Sequence, residues 1–151
     1  MKPSGVRALR TLALSAVLCA GGAARAEAWF TIQGDPKSST VDTVQVSPET
    51  ITVFEDLRTM KIRVSRGAMR RAYDGEPYRS YEAVAEVDCE QRQARYRRHT
   101  YFVEPLWAGP GRSYVPPEGQ KPQLAFRSIT PNPAQRLIQA ACTLHEVKSN
   151  R

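Results

Sequence analysis

The placement of three cysteines constrains this chain more than any other feature. Cys19 lies in an N-terminal apolar run, while Cys89 ends an alternating stretch, Tyr81-Glu82-Ala83-Val84-Ala85-Glu86-Val87-Asp88-Cys89. Cys142 ends the apolar face of a predicted helix. The body of the chain thus holds one strand cysteine and one helix cysteine, and two cysteines allow a single pairing. A Cys89–Cys142 disulfide would close a loop of roughly 54 residues, worth about 4 kcal/mol in the chain-entropy view. Such a bond requires an oxidising compartment.

The N-terminus points to one. Lys2, Arg7 and Arg10 precede the apolar run Thr11 to Ala20, which is too short to span a bilayer comfortably. Ala24-Arg25-Ala26 puts small residues at the two positions a signal peptidase reads. The expectation is a signal peptide over 1–26 cleaved after Ala26, with Ala26-Glu27-Ala28 as a second cleavage site, and one mature domain over 27–151. A lipoprotein box at Cys19 wants a small residue before the cysteine and a leucine three before, and Leu18 and Ala16 stand there instead. The protein is expected to be exported, to the periplasm or the outer cell surface, with no membrane-spanning segment in its mature chain.

Charge must be read after the leader is removed. The whole chain carries 22 Lys+Arg against 15 Asp+Glu, net +7. Lys2, Arg7, Arg10 and Arg25 leave with the leader and no acid does, so the mature balance is about +3, too mild to imply a nucleic-acid partner.

The mature chain reads mainly as antiparallel strands. Trp29 to Ile32, Val41 to Val46 and Thr50 to Phe54 are short β-rich runs separated by Gly34-Asp35-Pro36 and Ser47-Pro48. Met60 to Ser65 alternates, with Met60, Ile62 and Val64 inward and Lys61 and Arg63 outward. Gly67 to Pro77 breaks the pattern and is expected to be an irregular loop. Tyr81 to Cys89 presents small Ala83 and Ala85 on its inward face, room for a helix to pack, and three acids on the other. A turn near Glu90 to Gln93 leads into Ala94 to Val103, and the two strands should pair as a hairpin with acids facing arginines.

Six prolines and three glycines between Pro105 and Pro131 mark loop, with short edge strands expected at Ser113 to Val115 and Leu124 to Arg127. Asn132 is a helix cap and Pro133 suits the first helical position. Ala134, Leu137, Ile138, Ala141 and Cys142 then form one face of a helix expected to run from Pro133 to about Leu144. The expected fold is α+β: an antiparallel sheet of about five to six strands with one C-terminal helix packed on it and disulfide-bonded to a strand.

Several stretches together carry a family resemblance. They are Tyr78-Arg79-Ser80, Ala83 to Cys89, the basic strand Arg92 to Tyr101, Ser128-Ile129-Thr130-Pro131, and Ala140-Ala141-Cys142. With the early Trp29, they make the chain resemble the surface-adhesin protein E family of Gram-negative bacteria. The resemblance implies the same sheet-and-helix architecture and a non-enzymatic adhesin that contacts host macromolecules. The chain departs from the pattern at Phe126, where members often carry tryptophan.

No catalytic constellation stands out. His99 and His145 have no acid or cysteine at metal-ligand spacing, and His99 is expected on the outward register with Arg95 and Arg97. Glu86, Asp88 and Glu90 lie close to Arg92 and Arg95, so ion pairing is the expectation there. Neither a nucleophile elbow nor a phosphate loop is present. No enzyme, cofactor or metal is expected.

Arginines are the feature with partner potential. Arg92, Arg95, Arg97 and Arg98 share one predicted strand, and Arg66, Arg70 and Arg71 open the irregular loop. Arginine beside Tyr96 and Tyr101 suits a protein or polyanionic glycan interface. Arg92, Arg95, Arg97 and Tyr101 are the expected partner site, with Arg98 on the opposite face, and a homodimer stays open. The alternative function is a periplasmic structural protein, or an inhibitor that plugs a cell-envelope enzyme with the loop Trp107 to Pro117.

Overall fold

The structure, a computed structural model, describes residues 26–149, with side-chain surroundings through residue 143. The expected leader, Cys19 and His145 lie outside what is described. Six strands form one antiparallel sheet in sequence order: β1 (Phe30–Gln33), β2 (Thr43–Phe54), β3 (Leu57–Arg71), β4 (Pro77–Asp88), β5 (Gln93–Phe102) and β6 (Arg112–Tyr114). One helix, α1 (Ala134–Ser149), follows. Each strand reverses into the next, through short turns between β2 and β5 and through longer loops at 34–42 and 103–111.

Alternation assigns the faces. Val44, Met60, Ile62, Val64, Tyr81, Ala83, Ala85 and Val87 are all buried and belong to one core cluster with Leu137, Ile138 and Ala141 of α1. The small Ala83 and Ala85 side chains leave the space that the helix fills. Asn132 caps α1 by accepting a hydrogen bond from the Ala134 amide at 3.0 Å. A disulfide joins Cys89, just past β4, to Cys142 on α1, with Cα atoms 5.6 Å apart. Fold class and staple are as the residues predicted.

Three local expectations are corrected. The two short runs 41–46 and 50–54 are one strand, β2, irregular between Ser47 and Thr52. There the Thr50 hydroxyl donates to the Ser47 carbonyl at 2.7 Å and accepts from the Lys61 amide at 2.9 Å, standing in for the ladder that Pro48 interrupts. Gly67 to Pro77 is mostly strand: β3 runs to Arg71, β4 starts at Pro77, and only Ala72 to Glu76 turn. A register shift between Ser65 and Arg70 bulges β3 and erases the alternation. Arg79 fills that bulge, donating to the carbonyls of Arg66 (3.1 Å), Gly67 (3.3 Å) and Ser39 (2.6 Å). A side chain at Gly67 would collide with the Thr40 backbone. Lastly, Leu124 to Arg127 is no strand; the residue before it, Gln123, bridges to Arg95 of β5, and the Leu124 amide donates to the Ala94 carbonyl at 2.8 Å.

Part of the face away from α1 is covered by the loop that follows β5. Ser65 and Ser80 lie opposite each other in the ladder, both fully buried. Ser65 Oγ accepts from the Leu106 amide at 3.0 Å, and Ser80 Oγ accepts from the Trp107 amide at 3.0 Å while donating to the Glu104 carbonyl at 2.7 Å. Two serines thus hold the chain leaving β5 down against the sheet, which explains buried polar side chains on this face.

Candidate functional site

The basic strand β5 contains a β-bulge. Val84 pairs with Arg98 but Ala85 pairs with Tyr96, leaving Arg97 without a partner opposite. One extra residue reverses the inside–outside order beyond it. Arg95, Arg97 and Arg98 are therefore all exposed, and Arg92 is exposed in the turn. His99 and Tyr101 rotate inward, to 1% and 3% exposure. Two expectations are corrected by this one feature: His99 is a core residue, and Tyr101 is not beside the outward arginines. Arg98, expected on the far face, joins Arg95 and Arg97.

Acids accompany this arginine face. Arg97 Nε lies 3.6 Å from Glu86 Oε2, and Glu86 sits opposite Arg95 in the ladder. Arg63 of β3 approaches Glu82 at 4.0 Å. Among the described residues no ion pair uses Arg92, Arg95 or Arg98.

Trp107, which the alternative function places in a plugging loop, is fastened. Its indole Nε1 donates to the Tyr81 carbonyl at 3.2 Å. Its ring lies 3.9 Å from the Arg63 guanidinium carbon, whose other aromatic neighbour is Trp29 at 4.3 Å. Arg63 also donates through Nε to Gln45 Oε1 at 2.7 Å. Burial lowers the Arg63 pKa while Glu82 and Glu27 raise it, and a guanidinium stays charged in any case. Both tryptophans of the chain thus flank one cation.

On the helix face, beyond the end of α1's contacts, residues singled out for other reasons converge. His99 is ringed by five of the six tyrosines: Tyr96 (centroids 4.4 Å), Tyr101 (5.0 Å, stacked), Tyr81 (5.4 Å), Tyr73 (5.5 Å) and Tyr114 (6.2 Å). The sixth, Tyr78, packs on Tyr101 at 5.0 Å and Tyr81 at 5.8 Å. This cluster floors a cleft of about 220 Å³ whose walls carry Arg66, Arg70, Arg71 and Arg127 and no acid. Burial pushes the His99 pKa down to about 4 despite Asp74, and burial raises those of Tyr73, Tyr78, Tyr81, Tyr96 and Tyr101. The histidine is neutral and these phenols keep their protons at neutral pH. Arg66 is itself buried against Asp42 at 3.4 Å. Asp74 is bonded to Arg112. Lost hydration acts to raise the Asp74 pKa, but the Arg112 hydrogen bond and charge together with the Glu76 amide hold it below the usual range.

Sequence reasoning missed this cleft. Its tyrosines come from β4, β5, β6 and the β3–β4 turn, and the bulge in β5 hides the facing of His99 and Tyr101 from any count of alternation. Among the described residues no group of three His, Cys, Asp or Glu side chains is placed to hold a metal ion, and no helix is long and apolar enough to cross a membrane.

Residues 29–143 match the family model for surface-adhesin protein E. The chain belongs to the surface-adhesin protein E family. Membership points to an exported, adhesin-like protein rather than an enzyme. The matched span begins at the tryptophan that stacks on Arg63 and ends one residue past the disulfide cysteine of α1. Among solved structures the chain is similar to Haemophilus influenzae protein E (crystal form II), with 19% identity and a TM-score of 0.45 over 68% of this chain and 82% of that chain. No curated protein sequence matches it.

Proposed function

We propose that this protein is an exported, non-catalytic binding module whose mature chain starts at Glu27, and that Arg92, Arg95, Arg97 and Arg98 contact an acidic protein or a polyanionic glycan. The observation that carries the reading is the β5 bulge, where Arg95, Arg97 and Arg98 are all exposed. Guanidinium groups bind carboxylate and sulfate in a bidentate fork. Glu86 engages only Arg97, so the face retains unpaired positive charge among the described residues. Fastening of Trp107 to the sheet argues against a plugging loop.

The test is a double substitution, Arg95→Gln with Arg97→Gln, assayed on immobilised heparin. Exposed ion pairs contribute little, so unfolding should shift by less than about 1 kcal/mol. Elution should move to lower salt, because screening acts over about 8–10 Å. Elution at unchanged salt from a folded variant would mean that these arginines are only a solvated face. Protease shaving of intact cells separates the cell surface from strict periplasmic residence, and the latter would remove adhesion.

A further inference from the structure

The tyrosine–histidine cleft lies on the opposite face of β5 from the proposed partner surface, because Tyr96, His99 and Tyr101 point inward where Arg95, Arg97 and Arg98 point outward. We propose that this cleft is a binding site for the ring of an acidic monosaccharide, with its carboxylate at the arginine rim and its hydroxyls against the tyrosine and histidine floor. Three observations select that chemistry.

Size comes first. About 220 Å³ is below the 300–1,000 Å³ of sites for drug-sized ligands, yet it holds about seven waters at roughly 30 Å³ each. One substituted six-membered ring fits, and a protein segment or a bilayer does not.

Charge comes second. Four arginines line the cleft and no carboxylate does. Arg66 is committed to Asp42, and Asp74, outside the lining, is committed to Arg112. Arg70 and Arg127 are exposed and take part in no ion pair among the described residues. The open valence at the rim is therefore for an anion.

The floor comes third. His99 is 1% exposed, yet its Nδ1 has no hydrogen-bond partner in the protein. A buried polar atom without a partner costs about 1–3 kcal/mol, which the fold carries at the base of an open cleft. His99 lines the cleft, and on this proposal the missing partner is a hydroxyl that enters there. A hydroxyl satisfies a neutral imidazole nitrogen whether that nitrogen donates or accepts, and phenols can bond further hydroxyls. Tyrosine faces take the apolar C–H faces of a sugar ring. A plain aromatic acid would fill the space but leave Nδ1 unmatched.

The experiment titrates the mature protein with D-glucuronate, D-glucose and benzoate by ligand-observed NMR. Glucuronate should saturate with a Kd of about 1 mM, reasonable for a single ring, and D-glucose should bind at least about tenfold more weakly, since a charge-assisted hydrogen bond is lost. Changing the exposed pair Arg70→Gln and Arg127→Gln should weaken glucuronate about tenfold, leave glucose unchanged and keep the unfolding temperature. The Arg95→Gln/Arg97→Gln variant should bind glucuronate like wild type, so this site and the β5 surface stand or fall separately. Absence of saturable glucuronate binding, benzoate binding as tightly as glucuronate, or an unaffected rim variant would each overturn the proposal.

Discussion

The phenol oxygens of Tyr81 and Tyr96 lie 2.8 Å apart inside the core, one from β4 and one from β5. Their rings meet edge to face, with centroids 6.0 Å apart, an arrangement that aromatic quadrupoles favour. Each hydroxyl supplies the buried partner that the other needs.

This pair predicts a non-additive mutant cycle. Tyr81→Phe or Tyr96→Phe alone leaves one buried hydroxyl without its partner and should cost about 1–3 kcal/mol. The double variant should cost less than the two losses added together, by at least about 0.5 kcal/mol. Urea unfolding of the four proteins measures the coupling, and strict additivity would mean the hydroxyls do not depend on each other.

Stability should depend on pH through His99. An unfolded histidine protonates near its ordinary 6.5, and the folded one only near 4. Between those values the unfolded chain binds a proton that the folded chain refuses, so stability is full above 6.5 and declines as pH falls toward 4. The loss amounts to about 3 kcal/mol. Chemical unfolding across this window should give a slope that His99→Phe flattens. Parallel profiles for the two proteins would contradict a buried neutral imidazole.

Reduction should release the helix. Removing the Cys89–Cys142 bond by Cys142→Ala should lower stability by about 2–5 kcal/mol. The exported protein should show no free thiol until denatured and reduced. Two reactive thiols in the native protein would contradict the staple.

Arg63 should report through fluorescence, because both of the chain's tryptophans touch it. Arg63→Lys keeps the charge but cannot present two flat faces at once. A loss of about 1–2 kcal/mol and a red-shifted tryptophan emission are expected. An unchanged spectrum would mean that the indoles are held without it.

Signals that survive in sequence are those that one segment states by itself. Alternation in Met60 to Val64 and in Tyr81 to Val87 named the buried face correctly, since successive strand residues must point opposite ways. Asn132 with Pro133 marked the start of α1, since the cap bonds an amide two residues away. Those two elements then left the body's two cysteines one pairing, and the strand-to-helix staple followed. Only the tertiary structure decided where β3 and β5 bulge, because a bulge is a relation between two paired strands and leaves no local mark. That decision turned His99 and Tyr101 inward and Arg98 outward. It gathered tyrosines as far apart as Tyr73 and Tyr114 around one imidazole. The same holds for Trp29 and Trp107, which meet across Arg63 because the loop after β5 is held on the sheet by Ser65 and Ser80. Contacts between distant segments depend on the register and path of the whole sheet, and no periodicity within either segment encodes them.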